Sequence, residues 1–200
     1  MTTGECALRK VFITRSVYRV AIKSTIFKAD LQVTDTDRDY YEQHKLTLAR
    51  HPSETDERMM VRLLVFGMHA DPALELAGGV STEDTPALWR KNLSGEILDW
   101  IDIGHPDEKR IRKACARARN VFIYSYGLGR SKPWWQSIQN DLGRFDNLSV
   151  LFLPDGQIKN LAQLAERTMQ LYCTIQDSEI TFADGQTELT VTPEIWLKPD

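Results

Sequence analysis

The sequence has few cysteines, no long apolar run and no excess of basic residues. Its three cysteines, Cys6, Cys115 and Cys173, are too far apart for zinc-ligand spacing, and an odd number argues against a disulfide framework. No apolar run is long enough to span a membrane. We therefore expect a cytoplasmic protein without a membrane partner. The formal net charge of -3 means that any nucleic-acid binding must come from a local basic patch.

Several other signals are missing. The GLGR segment at residues 127–130 lacks the spacing of a nucleotide-binding loop, and no G-x-S-x-G hydrolase motif occurs. The absence of repeats, low-complexity segments and linkers predicts one domain over residues 20–200. Residues 1–19 lack the apolar core of a secretory signal. Three interpretations of this extension are open: a short amphipathic strand, a disordered tail, or upstream sequence translated from a misassigned start.

The remaining pattern alternates between strand and helix periodicity. It predicts a mixed α/β sheet with helices on its faces. The predicted strands cover residues 20–29, 40–50, 74–80, 87–91, 96–103, 121–126 and 148–153, with a meander over 169–197 that turns at 177–178 and 184–185. The predicted helices begin at the N-cap Ser53, near Pro106 in the first turn, at Pro133, and at Gly156; the last two end at 145 and 168.

The most informative segment joins an acid-bearing strand to a basic helix. Strand alternation places Trp100 and Asp102 on one face and Asp99 on the other. The basic residues of the helix region are Lys109, Arg110, Arg112, Lys113, Arg117 and Arg119. A carboxylate at the end of a core strand, facing a cationic helix, suits a metal and phosphate site. In the alternative interpretation, Asp102 is only ion-paired to a helix cation and the basic face is ordinary surface.

The first interpretation assigns specific roles. Asp102 would bind Mg²⁺ with help from Glu57, and Lys109 or Lys113 would orient the attacking water. In the alternative interpretation, Glu57 only stabilises the positive end of the helix dipole, which requires no function. Glu54 is the alternative to Glu57, and the reserve acids are Glu83, Asp84 and Asp99. Other candidates with structural alternatives are His51, His105 and the pair Trp134-Trp135, which would stack bases if it is not part of the core.

Four motifs carry a resemblance to a known family. They are LTLARHPSETDERMMVRLL (46–64), DWIDIGHPDEKRIRKA (99–114), NLSVLFL (147–153) and ERTMQLYCTIQD (166–177). Together they resemble the bacterial YaeQ family closely, from about Val20 onward. The resemblance implies that family members start near Ala21, so Val20 is a candidate start and residues 1–19 an annotation artefact. It also implies a variant of the restriction-endonuclease-like, or PD-(D/E)XK, core with extra strands.

The resemblance implies less about activity, because the nuclease motif is incomplete. That motif needs Pro-Asp and then acid-x-Lys on the next strand. Here Pro86 is followed by Ala87, and Asp102 is followed two positions later by Gly104. In that superfamily the lysine can move to the following helix, where Lys109 or Lys113 would replace it. The missing first acid lowers the expectation of metal-dependent hydrolysis.

Three functions remain as expectations. The first is a Mg²⁺-dependent nuclease or phosphodiesterase. The second is a non-catalytic nucleic-acid-binding or transcription-associated module. The third is a protein-interaction domain on a degenerate nuclease fold, whose partners the sequence does not identify. In the first two, the phosphates would be held by Arg110, Arg112, Lys113 and Arg117. Salt dependence separates the last two, because phosphate binding weakens steeply as salt rises.

Overall fold

The computed structural model describes residues 24–77 and 85–199. Outside these ranges lie the extension of residues 1–19, the first residues of the strand predicted from Val20, and the reserve acids Glu83 and Asp84. The described strands are β1 (Thr25–Asp35), β2 (Tyr40–Arg50), β3 (Leu74–Leu76), β4 (Leu88–Lys91), β5 (Ile97–Ile103), β6 (Ala118–Tyr126), β7 (Leu148–Leu153), β8 (Thr168–Gln176), β9 (Glu179–Ala183), β10 (Glu188–Val191) and β11 (Glu194–Leu197). The described helices are α1 (Asp56–Met68), α2 (Glu108–Cys115), α3 (Leu128–Leu142) and α4 (Asp155–Ala162).

The strands form two sheets rather than the single sheet predicted. Sheet A has the order β10-β9-β8-β1-β2, and sheet B has the order β11-β7-β6-β5-β4-β3. β1 pairs with β2 antiparallel and with β8 parallel. In sheet B, the neighbours β5, β6 and β7 are parallel. Hydrophobic periodicity identifies a strand but not its partners, so the division into two sheets could not be predicted from it.

Two of the helices lie between the sheets. The larger core contains side chains of both sheets together with those of α1 and α4, and we call it the inter-sheet core. α1 is buried from Met59 to Gly67. A Cβ on Gly67 would lie 2.7 Å from Sγ of Cys173 on β8, so glycine permits this close approach. Helices α2 and α3 cover the other face of sheet B, and we call the core beneath them the outer core.

The prediction of a mixed α/β protein is confirmed, and several elements match closely. β2 occupies residues 40–50 as expected and runs antiparallel to β1. β7 covers the predicted residues 148–153. The turns at Asp177-Ser178 and Asp184-Gly185 are also present, with positive φ at Asp177, Ser178 and Gly185. The predicted meander is only partly correct, because its last strand, β11, pairs with β7 of sheet B instead of joining sheet A.

Helix starts differ from the predictions where a different residue provides the cap. Thr55, not Ser53, caps α1 by accepting a hydrogen bond from the backbone N–H of Arg58 at 3.2 Å. Asp107 caps α2, so Pro106 lies before the helix instead of in its first turn. Both differences are shifts of one or two positions. The cap at Asp107 matters because it places Arg110 in the first turn of α2, facing β5.

The start of α3 lies five residues before the predicted one. The helix begins at Leu128 and contains Pro133, which the sequence suggested as its first residue. The carboxylate of Asp155 accepts hydrogen bonds from the backbone N–H groups of Gly127 and Leu128, at 3.0 and 2.8 Å. This contact comes from the start of α4 and satisfies donors that a helix start leaves unpaired. No local pattern in residues 127–133 indicates it. The predicted last helix was too long, since α4 ends at Ala162.

Candidate functional site

Asp102 lies near the end of β5 and is paired with an arginine. It is only 4% exposed, and its side chain is on the face of sheet B that carries the outer core. Nε of Arg110 donates to Oδ2 at 2.8 Å, and Nη2 donates to Oδ1 at 2.6 Å. The indole Nε1 of Trp100 donates to Oδ2 at 3.0 Å. Both carboxylate oxygens therefore accept hydrogen bonds from one bidentate guanidinium, the strongest arrangement available to such a pair.

The local structure brings Arg110 to this position. β5 is followed by Gly104, whose φ of 109° turns the chain in a conformation that other residues rarely adopt. Asp107 then caps α2 by accepting from the N–H of Arg110 at 2.8 Å. As a result Arg110 lies in the first turn, facing back toward Asp102. Its Nη2 also donates to the carbonyl of Thr85 at 3.0 Å, so one guanidinium links β5, α2 and the segment before β4.

The described residues around Asp102 do not fit a magnesium ion. Glu57 belongs to α1, on the inter-sheet face of sheet B, whereas the carboxylate of Asp102 points to the opposite face. The structure therefore does not bring the two predicted metal ligands together. The residues it describes also contain no group of three or more His, Cys, Asp or Glu side chains suited to a metal. Mg²⁺ needs open carboxylate oxygens, and the adjacent guanidinium occupies those of Asp102.

The predicted lysines and arginines lie on or beside α2. Lys109, Arg112 and Arg117 are exposed, and Lys113 is half-buried. The described lining of a cavity of about 190 Å³ consists of Asp107, Lys109, Arg110 and Lys113. The structure therefore brings both predicted lysines close to the Asp102–Arg110 pair. The charge of Arg110 is directed at Asp102, whereas the side chain of Arg112 is 59% exposed and lies 3.9 Å from Glu108.

The reserve acid Asp99 faces the inter-sheet side of β5. Nε of Arg90 donates to its Oδ2 at 2.5 Å, and Nδ2 of Asn120 donates to its Oδ1 at 2.9 Å. Nearby, His69 is half-buried and its Nε2 lies 2.7 Å from the hydroxyl of Tyr124. Burial lowers the pKa of His69 to about 4, against a smaller opposing effect of the Asp99 charge. Sequence reasoning missed this group, because a single histidine at the end of an apolar helix gives no signal.

The other candidates have structural roles. His51 interacts through Nδ1 with the hydroxyl of Ser53 at 2.6 Å. The indole Nε1 of Trp134 donates to the carbonyl of Pro106 at 2.8 Å. Trp135 packs against Trp196, with ring centroids 5.7 Å apart. Both tryptophans of the Trp134-Trp135 pair are half-buried against the outer core, which favours the core interpretation over base stacking.

A second cavity was not predicted from the sequence. It has a volume of about 340 Å³ and lies where the parallel strands β5 and β6 end. Its polar lining residues are Ser53, Thr55, Arg58, His105, Tyr126 and Arg130. We call it the strand-end cavity. Ligands of open α/β sheets bind beyond the carboxyl ends of the strands, so the position itself is informative. A partial signal is present in the sequence, since His105 lies two positions after Ile103, the last residue of β5.

The strand-end cavity carries positive charge. Nη1 of Arg58 donates to the carbonyl of Ile103 at 2.6 Å, and the same side chain hydrogen-bonds to Tyr126. Burial raises the pKa of Tyr126, and the charge of Arg58 opposes that rise. Burial also lowers the pKa of His105, with a further contribution from the charge of Arg130. His105 is therefore neutral near pH 7, and the two guanidiniums provide the cavity's cationic groups.

Comparison with known proteins identifies the family. The family model described as YaeQ protein matches residues 20–193. The chain is 44% identical to the YaeQ protein of Salmonella typhi and 43% identical to that of Escherichia coli K12. In each case the match covers 90% of this chain and 99% of the relative. Both relatives are named only as uncharacterized YaeQ proteins, so neither name states an activity. Among the described residues, no helix is long and apolar enough to cross a bilayer.

Solved structures agree with this result. The crystal structure of YaeQ from Xanthomonas axonopodis pv. citri superimposes with a TM-score of 0.83 at 44% identity, covering 88% of this chain and 99% of that one. The YaeQ structure from Pseudomonas syringae gives a TM-score of 0.82 at 32% identity, covering 88% and 97% of the two chains. From its sequence and its fold, the chain belongs to the YaeQ family.

Proposed function

We propose that this YaeQ-family protein is a non-catalytic nucleic-acid-binding module on a restriction-endonuclease-like fold. In this proposal the exposed cations of α2 contact phosphates, and the role of Asp102 is structural. The observation that carries the proposal is the bidentate pair between Asp102 and Arg110, with both hydrogen bonds at 2.8 Å or shorter. A carboxylate so engaged does not provide the open oxygens that a catalytic Mg²⁺ requires.

The strand arrangement supports the nuclease-like part of the proposal. Pro86 directly precedes the β4 region, and the next strand, β5, carries Asp102. Leu88 pairs with Ile101, so position 87 lies beside Asp102 across the two strands. This is the register expected if Ala87 replaces the first acid of the nuclease motif. The guanidinium of Arg110, bonded to both Asp102 and Thr85, then occupies the place where the metal would be expected.

The surface of α2 supports phosphate contact. Besides Arg110, four cationic residues lie on α2 or just after it, namely Lys109, Arg112, Lys113 and Arg117. All are exposed or half-buried, and two of them line the 190 Å³ cavity beside the helix. Phosphate contacts of this kind provide affinity and position a protein on nucleic acid without reading its sequence. The proposal therefore concerns backbone binding and assigns no base preference.

Salt-dependent binding tests the proposal. Labelled single- and double-stranded DNA and RNA are titrated with wild type and the double variant Lys109→Gln/Arg112→Gln at several KCl concentrations. Two lost phosphate contacts should reduce the slope of log K against log salt by about 2. The matched control is Lys28→Gln/Lys45→Gln, which removes the same charge from exposed positions of sheet A. Equal slopes for both double variants would contradict the assignment to α2.

A cleavage assay tests the catalytic alternative. The same substrates are incubated with Mg²⁺ or Mn²⁺ and either wild type or Asp102→Asn, a substitution that keeps the shape of the side chain. The proposal expects no difference between the two proteins. Metal-dependent cleavage that Asp102→Asn abolishes would replace the binding module with the nuclease. Binding of a protein partner that is insensitive to salt, with no nucleic-acid binding, would favour the interaction domain instead.

A further inference from the structure

We propose that the strand-end cavity binds the phosphate monoester group of a small organic ligand of about mononucleotide size. This inference does not rest on nucleic-acid binding by α2. The cavity volume of about 340 Å³ lies at the lower end of the range for small-molecule sites, roughly 300–1,000 Å³. A phosphate group alone would leave most of that space unfilled. The ligand is therefore expected to carry an organic portion.

Two guanidiniums from different elements define the anion site. Arg58 comes from the first turn of α1, and Arg130 comes from the first turn of α3. The hydrogen bond of Arg58 to the carbonyl of Ile103, at 2.6 Å, holds it against the end of β5. Arg130 is exposed and forms no ion pair within the part of the chain that the structure describes. The fold thus positions one cation firmly and leaves the other accessible to a ligand.

The acids nearby do not cancel this charge. Glu54 is the closest, 3.8 Å from Nε of Arg58, but both its oxygens accept from Nη1 of Arg62 at 3.1 and 3.2 Å. Glu54 and Arg62 are both buried, so they form a neutral pair behind the cavity. Glu57 lines a smaller neighbouring cavity with Asp155 and Lys159. Glu54 is paired with Arg62 and Glu57 lines a different cavity, so the two cations leave the strand-end cavity favourable to an anion.

A phosphate suits this arrangement better than a carboxylate does. A carboxylate needs only one arginine to engage both its oxygens, as the Asp102–Arg110 pair shows. Two arginines from separate helices can share the three terminal oxygens of a phosphate monoester, whose charge at neutral pH is about −1.5 to −2. The cap hydroxyl of Thr55 accepts from the N–H of Arg58, so its own hydrogen can be donated to a ligand oxygen.

His105 provides a hydrogen-bond acceptor, whereas Arg58 and Arg130 are cationic donors. The hydroxyl of Ser131 donates to the carbonyl of Tyr126 at 2.9 Å, so it must accept from Nε2–H of His105 at 2.8 Å. In this tautomer Nδ1 is an acceptor, and it bonds to none of the described residues. A neutral acceptor beside two cations matches a ligand that combines a phosphate with a hydroxyl or amino group. Nucleoside monophosphates and sugar phosphates have this chemistry.

Isothermal titration calorimetry of the full chain tests the inference. The probes are inorganic phosphate, adenosine 5′-monophosphate, ribose 5-phosphate and adenosine, at constant ionic strength. We expect saturable binding of the two organic phosphates, weaker binding of inorganic phosphate and none of adenosine. Arg130→Gln should weaken binding of the organic phosphates about tenfold or more, because it removes a charge-assisted contact. The control is Lys132→Gln, an exposed position in the same helix that does not line the cavity.

Each result has a defined meaning. Loss of affinity in Arg130→Gln but not in Lys132→Gln supports the site. Equal affinities of the two variants, or no saturable binding of any phosphate probe to wild type, overturn it. Binding of adenosine as tight as that of its monophosphate would also overturn it, because the arginines would then have no part. Binding confined to oligonucleotides, with none of the small phosphates, would contradict the ligand size assigned here.

Discussion

Arg110 in α2 and Arg130 in α3 are near each other in the sequence, but their surroundings in the fold are different. Arg110 is directed at a carboxylate and its side chain is 16% exposed. Arg130 is exposed beside a cavity and pairs with no acid in the described part of the chain. A guanidinium already bonded to Asp102 stabilises the protein but contributes little to recognition. The number of cations in a segment therefore indicates less about binding than the position of the carboxylates around them.

The largest expected difference between the two arginines is in their contribution to stability, and removing Arg110 tests it. Arg110→Ala would leave the carboxylate of Asp102 buried without a partner, which typically costs about 3–5 kcal/mol of unfolding free energy. Arg130→Ala should change that free energy by no more than about 0.5 kcal/mol, as is usual for exposed positions. Urea denaturation of both variants measures the difference. Equal and small effects would mean that the Asp102–Arg110 pair is not structural. Adding Asp102→Asn to Arg110→Ala should recover part of the loss, because the charge itself is removed.

The inter-sheet core gives a pH-dependent contrast. Desolvation keeps His69 neutral in the folded protein, with a pKa of about 4, below its ordinary value of 6.5. Between these values the unfolded chain binds a proton that the folded protein does not. Stability should therefore fall by roughly 3 kcal/mol as pH falls from 6.5 to 4, and stay constant with respect to this group above 6.5. Denaturation of wild type and His69→Gln across this range measures the difference. Parallel curves would show that His69 is not the group responsible.

Gly104 lies between β5 and α2 and lines the strand-end cavity, and its substitution should have an intermediate effect. With φ at 109°, alanine at this position would cost about 1–3 kcal/mol through backbone strain. Gly129 is a matched control, because it lies inside α3 with open space around its Cα. Alanine there should be neutral or stabilising by up to about 1 kcal/mol, since it favours the helix. Thermal unfolding of both variants compares them. A neutral Gly104→Ala would mean that the turn after β5 tolerates an ordinary conformation.

The smallest effect is expected on the exposed face of α2. Arg112→Ala removes a side chain that is 59% exposed and 3.9 Å from Glu108. Exposed pairs of this kind contribute about 0–1 kcal/mol, so the unfolding free energy should hardly change. The same variant should still weaken nucleic-acid binding under the proposed function. A large loss of stability would place Arg112 with Arg110 rather than with Arg130, and would remove the distinction drawn between them.

The predictions made from the sequence succeeded where the information was local. The alternation in 96–103 identified β5 to within one residue and placed Trp100 and Asp102 on a common face, as their 3.0 Å hydrogen bond requires. The structure agrees with the alternative interpretation, in which Asp102 is paired with a helix cation. Whether Asp102 and Glu57 lie together depends on which face of sheet B is covered by α1. Periodicity within either element does not indicate that face.

The sequence by itself determined the family, the mixed α/β class and most of the elements, because strand and helix periodicities are properties of neighbouring residues. It also determined that the cations are concentrated after β5. The tertiary structure decided which of those cations has a carboxylate partner, that the strands form two sheets, and that Arg58 and Arg130 line one cavity. These facts depend on contacts between residues far apart in the chain, such as Asp155 with Leu128, whose distances only the packed fold defines.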